Sequence, residues 1–513
     1  LNQFLRRDDG GVAVIYAVSL IPLSLLTLTA IDFHRASSVR QALQDSLDAA
    51  ALAVARSNAT APADVKALGE KVLQANLQPL SDATLQSFEF KPKSDGTIVA
   101  TATVAVKPVI TNLFTGEPMK VTASSETVRA NYKLEIALVL DNTGSMSSNN
   151  KLGTLKDAAT SLVDTLAAGA ARSVEPDAVR ISLVPFSQTV RVATNYQTAA
   201  WMNQTTTQTG NDYALSGAER FAKFQAMNIA WAGCMESRPY PYDVKDDGAS
   251  SSNAASMFVP YFAPDEPGDA GVSSWSNGST SYEITNSYLP DGIAQKVNGK
   301  TNPDYNDWTK RQSNVAKYGT SGLSVTSSRG PNQGCGLEPM TRLSTDYAAI
   351  KASIKRMTAV GNTNVPFGMI WGWHTLSPNT PFSDGKPYGT EKLKKILIVM
   401  TDGENTNDDA NNPNNSSYSG IGYLKQNRIG ITSGTTAQRR TAIDNRMAEL
   451  CTNMKAKDIT VYTVAVQVDQ TAVNLLKACA TSADHAYDVK NVSDMKTAFD
   501  AIAGSISNLR IAK

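Results

Sequence analysis

The sequence predicts an α/β fold. Its centre is a doubly wound, mostly parallel sheet carrying a large insertion, preceded by an apolar membrane helix and a small α+β region. Three observations lead there. Two mainly apolar runs, residues 134–140 (LEIALVL) and 393–400 (LKKILIVM), read as strands buried on both faces. Segments of helix-forming composition alternate with such strands, the pattern of a parallel sheet covered on both sides. Residues 11–31 hold no charged side chain and would span about 31 Å as a helix, which matches a bilayer core.

Each element follows in chain order. Pro22 lies within the apolar stretch, where a membrane helix tolerates it. Residues 32–56 are rich in Ala, Leu, Gln and Asp, so the anchor is expected to run on as one long helix. Helix signals resume at 63–77. Residues 87–130 then turn to strands, with 88–90 and 97–106 flanking the turn Ser94-Asp95-Gly96. Further strands are expected at 179–186, 189–193 (a hairpin turning at Ser187-Gln188), 459–468 and 486–489. Helices are expected at 151–168, 346–357, 436–457 and 493–509. Residues 196–340 break the alternation. They are rich in Gly, Ser, Asn, Pro and Tyr, yet carry Trp201, Trp231, Trp275 and Trp308, so they read as a folded insertion rather than a spacer. The expected division is 1–31 tail and anchor, 32–130 stalk and small β region, 131–195 with 341–513 as the α/β domain, and 196–340 as the insertion.

At 513 residues the chain exceeds one ordinary domain. Lys plus Arg number 48 and Asp plus Glu 47, and a net charge of +1 gives no global attraction to nucleic acid. His34, His374 and His485 make no zinc spacing, and the common nucleotide and serine-hydrolase signatures are absent. Cys234, Cys335, Cys451 and Cys479 form no CxxC pair. An even count on an exported domain suggests two disulfides. Of three pairings, Cys234 with Cys335 and Cys451 with Cys479 is favoured, because each pair lies within one block of the chain. Those disulfides would place the large C-terminal part outside the cytoplasm.

The chemistry centres on Asp141-Asn142-Thr143-Gly144-Ser145-Met146, just past the first buried strand. A carboxylate and two hydroxyls at alternate positions make an all-oxygen cluster suited to a hard divalent cation. The second buried strand ends in Thr401-Asp402-Gly403-Glu404, and Gly361-Asn362-Thr363-Asn364 opens a helix between them. Ligands of such sheets bind at the carboxyl ends of the strands, where Asp141 and Asp402 both fall.

DNTGSM, GNTN and MTDGEN together resemble the metal-ion-dependent adhesion site of von Willebrand factor type A domains. The resemblance implies that Asp141, Thr143, Ser145, Thr363 and Asp402 bind one Mg2+ or Mn2+. Thr143 stands where many members have Ser, and both supply a hydroxyl oxygen. Two carboxylates would balance the ion and leave it able to accept a carboxylate from a protein partner. A hydrolase would need a poised base, and Glu404 is the one nearby candidate; the expectation is a binding protein, not an enzyme.

The N-terminal stretch RRDDGGVAVIYAVSL, ahead of an adhesion-type domain, resembles the Tad (tight adherence) pilus-assembly proteins of the TadG type. Related TadE-like pseudopilins carry Glu where this chain has Ile15, so permanent anchoring is expected over cleavage. The resemblance implies an envelope protein of the Flp/Tad pilus system in the inner membrane of a Gram-negative bacterium. It would be single-pass, with its C-terminal part in the periplasm or at the cell surface, and would bind a pilus or envelope component. The alternative is a surface-exposed adhesin for host or matrix ligands. Two acidic clusters in the insertion (Asp243, Asp246, Asp247; Asp265, Glu266, Asp269) read as solvated turns rather than calcium loops. The polar loop 405–415 reads as a mobile rim, or else a partner contact.

Overall fold

The computed structural model describes residues 10–57, 59, 61–77, 83–93, 96–107, 118–128, 132–171, 173, 175–203, 217–323 and 325–511. Arg6 to Asp9, and the expected turn residues Ser94 and Asp95, lie outside the described residues. The chain divides into two units, one essentially residues 1–131 and the other 132–171 with 177–507.

In the first unit, helix α1 (Gly10–Arg56) runs unbroken through Pro22. Its first half leaves Val14, Ile15, Val18, Ile21, Leu23 and Leu26 exposed, which suits lipid rather than water. Among the described residues it is the one helix long and apolar enough to cross a membrane, and it fits a single-pass membrane protein. The second half changes character. Val39, Leu43, Leu47, Ala50 and Val54 recur every three or four positions and are buried, a stripe that packs on a small sheet. That sheet is β1 (Ala83–Pro92), β2 (Thr97–Val106) and β3 (Met119–Val128), antiparallel in that order. Helix α2 (Pro62–Leu77) buries Val65, Gly69 and Leu73. Gly69 is required there, because a Cβ would meet the Phe90 ring at 2.6 Å.

The second unit is built on a six-stranded mixed sheet: β4 (Lys133–Asp141), β5 (Val179–Phe186), β6 (Thr341–Ser344), β7 (Leu393–Thr401), β8 (Ile459–Val466) and β9 (Ala486–Val489). The spatial order is β6-β5-β4-β7-β8-β9. Every pair is parallel except β6 with β5. Side chains alternate between two cores. On β4, Leu134, Ile136, Leu138 and Leu140 enter one, Ala137 and Val139 the other. The first core is closed by α3 (Lys151–Ala171), α4 (Tyr347–Arg356) and α8 (Met495–Ile511). The second is closed by α5 (Val365–Leu376), α6 (Thr436–Lys455) and α7 (Gln470–Cys479). Residues 189–193 make isolated bridges (Phe186 to Val190, Arg191 to Cys234) rather than the expected hairpin strand.

All twelve residues of α5 are buried. One side lies so close to the sheet that a Cβ on Gly372 would stand 2.5 Å from Val139. Apolar side chains from the insertion, among them Trp201, Met202, Phe258 and Phe262, share the same core. The insertion is folded, but with little regular structure: its strands are two or three residues long. The cysteines pair as Cys234–Cys335 and Cys451–Cys479.

Two expectations about polar segments need correcting. Asp246, Asp265 and Glu266 are buried, not solvated. Asp265 accepts from the Tyr288 and Leu289 amides at 2.6 and 2.8 Å and pairs with Lys317. Glu266 accepts from the Thr285 hydroxyl and the Tyr423 hydroxyl, and Asp246 from Ser377 and Tyr388. An irregular backbone has many amides without ladder partners, and buried carboxylates satisfy them. The polar loop after Asp402 is likewise anchored rather than a mobile rim. Asn407, Asn412 and Asn414 are buried, and the loop bonds to Glu283 of the insertion through Asn411 and Asn412.

Candidate functional site

Strands β4 and β7 are neighbours in register, Leu140 beside Met400. Their carboxyl ends therefore deliver Asp141 and Thr401 side by side, and Thr401 Oγ1 donates to Asp141 Oδ2 at 2.6 Å. The other oxygen, Oδ1, accepts the Thr143 amide at 2.7 Å, an Asx turn that bends the chain off the sheet. Beyond the turn, Ser145 Oγ donates to Asp402 Oδ1 at 2.6 Å. Thr143 Oγ1 lies 2.9 Å from Ser145 Oγ and 3.5 Å from Asp402 Oδ1. Lys151, the first residue of α3, places Nζ 2.8 Å from Asp402 Oδ2.

Thr363 reaches the same edge through a stapled loop. Asn142 Nδ2 donates to Thr358 O at 2.8 Å, Val360 N to Asn142 O at 2.7 Å, and Gly144 N to Gly361 O at 2.9 Å. The Thr363 amide donates to Thr406 Oγ1, and the Thr406 amide returns a bond to Thr363 O. A Cβ built on Gly403 would fall 3.0 Å from Thr363 Oγ1 and 3.8 Å from Ser145 Oγ. The glycine thus leaves a small cradle beside both hydroxyls.

Asp141, Thr143, Thr363 and Asp402 are buried, while Gly144 and Ser145 open to solvent. Burial first, and the Asp402 carboxylate second, push the Asp141 carboxyl up to about 6, against the pull of its bonds from Thr143 and Thr401. Among the described residues no group of three or more His, Cys, Asp or Glu side chains is arranged to hold a metal. An ion here would rest on two carboxylates and hydroxyls instead. Glu404, the candidate base, is committed elsewhere: it pairs with Arg440 and shares a hydrogen bond with Asp469, which raises its pKa.

All five residues expected from the sequence reach this one edge. Four other contributors were not anticipated: Lys151, Asn142, Thr401 and Thr406. Thr401 could have been found, because it ends the strand run directly before Asp402. Lys151 had no sequence signal, since a lysine opening a polar helix reads as an exposed one.

Residues 10–57 match the Tad family, described as Flp pilus-assembly TadE/G-like. No curated protein matches the chain. Among solved structures it is similar to the pilus adhesin SpaC from Lactobacillus rhamnosus GG, at 12% identity and a TM-score of 0.33, covering 83% of this chain and 34% of that one. The chain thus spans about a third of that adhesin's length. It is similar to the vWF domain of the type V pili tip protein Mfa5 from Porphyromonas gingivalis, at 11% identity and a TM-score of 0.34, covering 75% and 97%. It is also similar to proximal thread matrix protein 1 from the mussel byssus, with zinc in its MIDAS motif, at 10% identity and a TM-score of 0.28, covering 74% and 46%. The chain joins a Tad segment of the TadE/G-like type, on a helix fit to cross a membrane, to a mixed α/β unit, and that segment supports a pilus-associated envelope protein.

Proposed function

We propose that this chain is a membrane-anchored protein of the Flp/Tad pilus system that binds a protein partner through a divalent-metal-dependent adhesion site. The site would be Asp141, Thr143, Ser145, Thr363 and Asp402, on a doubly wound von Willebrand factor type A domain formed by residues 131–195 and 341–513. The carrying observation is the convergence of Ser145 and Thr143 on Asp402, beside buried Asp141, at the carboxyl edge of the sheet.

The donor set fits a hard divalent ion. Each of the five side chains offers oxygen, the Gly403 cradle leaves the Thr363 and Ser145 hydroxyls unobstructed, and among the described residues no cation pairs with buried Asp141. Mg2+ or Mn2+ would supply a Lewis-acidic position able to accept a carboxylate from the partner. The protein's residues would hold that ion, and the exposed rim at Gly144 and Ser145 would admit the partner. The reading is of binding without catalysis, because Glu404 is engaged by Arg440 and Asp469. The anchor would hold the chain in the inner membrane with its C-terminal part in the periplasm.

Asp141→Ala in cells tests this. Pilus-dependent adherence should be lost while the protein persists at its normal level; unchanged adherence would contradict the reading. Protease added to intact cells locates the domain. Protection supports the periplasmic role, and cleavage moves the protein to the surface as an adhesin.

A further inference from the structure

Lys151 is 9% exposed, and its ammonium makes one polar contact among the described residues, to Asp402 Oδ2 at 2.8 Å. Nothing local explains this placement. It opens α3, and the first turn of α3 holds no acidic residue that could pair with it. Its partner lies 251 positions further along the chain. The side chain is therefore held in place by the carboxylate.

The two oxygens of Asp402 divide their work. Oδ1 accepts the Ser145 hydroxyl, with Thr143 Oγ1 just beyond, and Oδ2 takes the ammonium. The ammonium thus neutralises the carboxylate that gathers the hydroxyls. Asp141, Asp402 and Lys151 together carry two negative charges and one positive. An arriving dication must share Asp402 with the ammonium or displace it, and either course weakens its hold.

We propose that Lys151 is a built-in competitor cation. It keeps the metal-free cluster assembled and raises the divalent concentration needed to fill it. The proposal rests on the metal-site reading above and adds how that site is regulated. The ammonium and the dication exchange at Asp402 with no bond made or broken covalently. A lysine that merely supported the fold would behave oppositely, because its removal would loosen the site and weaken the metal.

The test is Mn2+ binding to the detergent-solubilised full chain, followed by electron paramagnetic resonance of free Mn2+. Lys151→Met should bind about tenfold more tightly than the unaltered protein, since one like charge leaves the site, while its metal-free form melts lower. Lys151→Arg should keep the weak affinity. Lys151→Gln carries the measurement if Lys151→Met does not fold. Adding Asp402→Asn should abolish the gain; a gain that survives it puts the ion elsewhere and overturns the proposal. Equal or weaker binding by Lys151→Met, with measurable binding in the unaltered protein, overturns the proposal alone. Binding by neither protein overturns the metal-site reading and the proposal together.

Discussion

Ser145 Oγ donates a 2.6 Å hydrogen bond to Asp402 Oδ1, although 257 positions separate the two residues. The contact exists because β4 and β7 are adjacent parallel strands whose ends lie level. Sheet topology, rather than local sequence, assembles the cluster, and the expectations below follow from that placement.

Gly403→Ala should damage the site without damaging the fold. The new Cβ would sit 3.0 Å from Thr363 Oγ1, so that hydroxyl must yield by a few tenths of an ångström. Divalent affinity should fall about tenfold, with a stability change within about 1 kcal/mol. Calorimetric titration with Mg2+ alongside thermal melting checks both. Unchanged affinity would mean that Thr363 takes no part in holding the ion.

The two disulfides should differ in weight. Cys234–Cys335 closes a separation of 101 residues and Cys451–Cys479 one of 28. On the chain-entropy account the first contributes about 4 to 5 kcal/mol and the second about 3 to 4. Paired Cys→Ser variants compared by urea unfolding should show the greater loss for Cys234/Cys335. The reverse order would locate the main stabilisation in α6 packing on α7 instead.

His374 should contribute a loss of stability on the acid side. It is buried against Phe258 and Trp371, with Nε2 3.3 Å from Arg238 Nη2. Burial first, then the Arg238 charge, hold its pKa well below the ordinary 6.5. Below pH 6.5 the unfolded chain takes up a proton that the folded chain refuses, so the contribution of His374 falls as pH falls, by about 1.4 kcal/mol per unit, against the opposite pull of carboxyls such as Asp141 that burial raises. It is fully present above pH 6.5. Relative to the unaltered protein, His374→Gln should gain stability as pH drops from 7 to 5 (roughly the window in which an ordinary His titrates); an identical pH dependence in the two proteins would mean that His374 takes no part in it.

The sequence was legible where chemistry is local. The runs at 134–140 and 393–400 became β4 and β7 because strands buried on both faces must be continuously apolar. That DNTGSM and TDGE would meet was legible because each follows a buried strand, and the carboxyl ends of such strands share one edge of the sheet. Edge strand β6 and helix α7 went unread. The first is four residues long, and the second is an amphipathic stretch of ten. The buried roles of Asp246, Asp265 and Glu266 were hidden because an acid in a Gly- and Ser-rich segment has the same local composition whether it faces water or an amide. Lys151 was hidden for the same reason: its burial depends on Asp402, far away in sequence.

Thermal unfolding of the full chain in detergent, with Mg2+ or with chelator, bears most directly on the central claim. At a hundred times its dissociation constant, Mg2+ should stabilise the domain by about 2.7 kcal/mol, and Asp402→Asn should erase the difference. Identical midpoints with Mg2+ and with chelator in the unaltered protein would contradict the metal-dependent site.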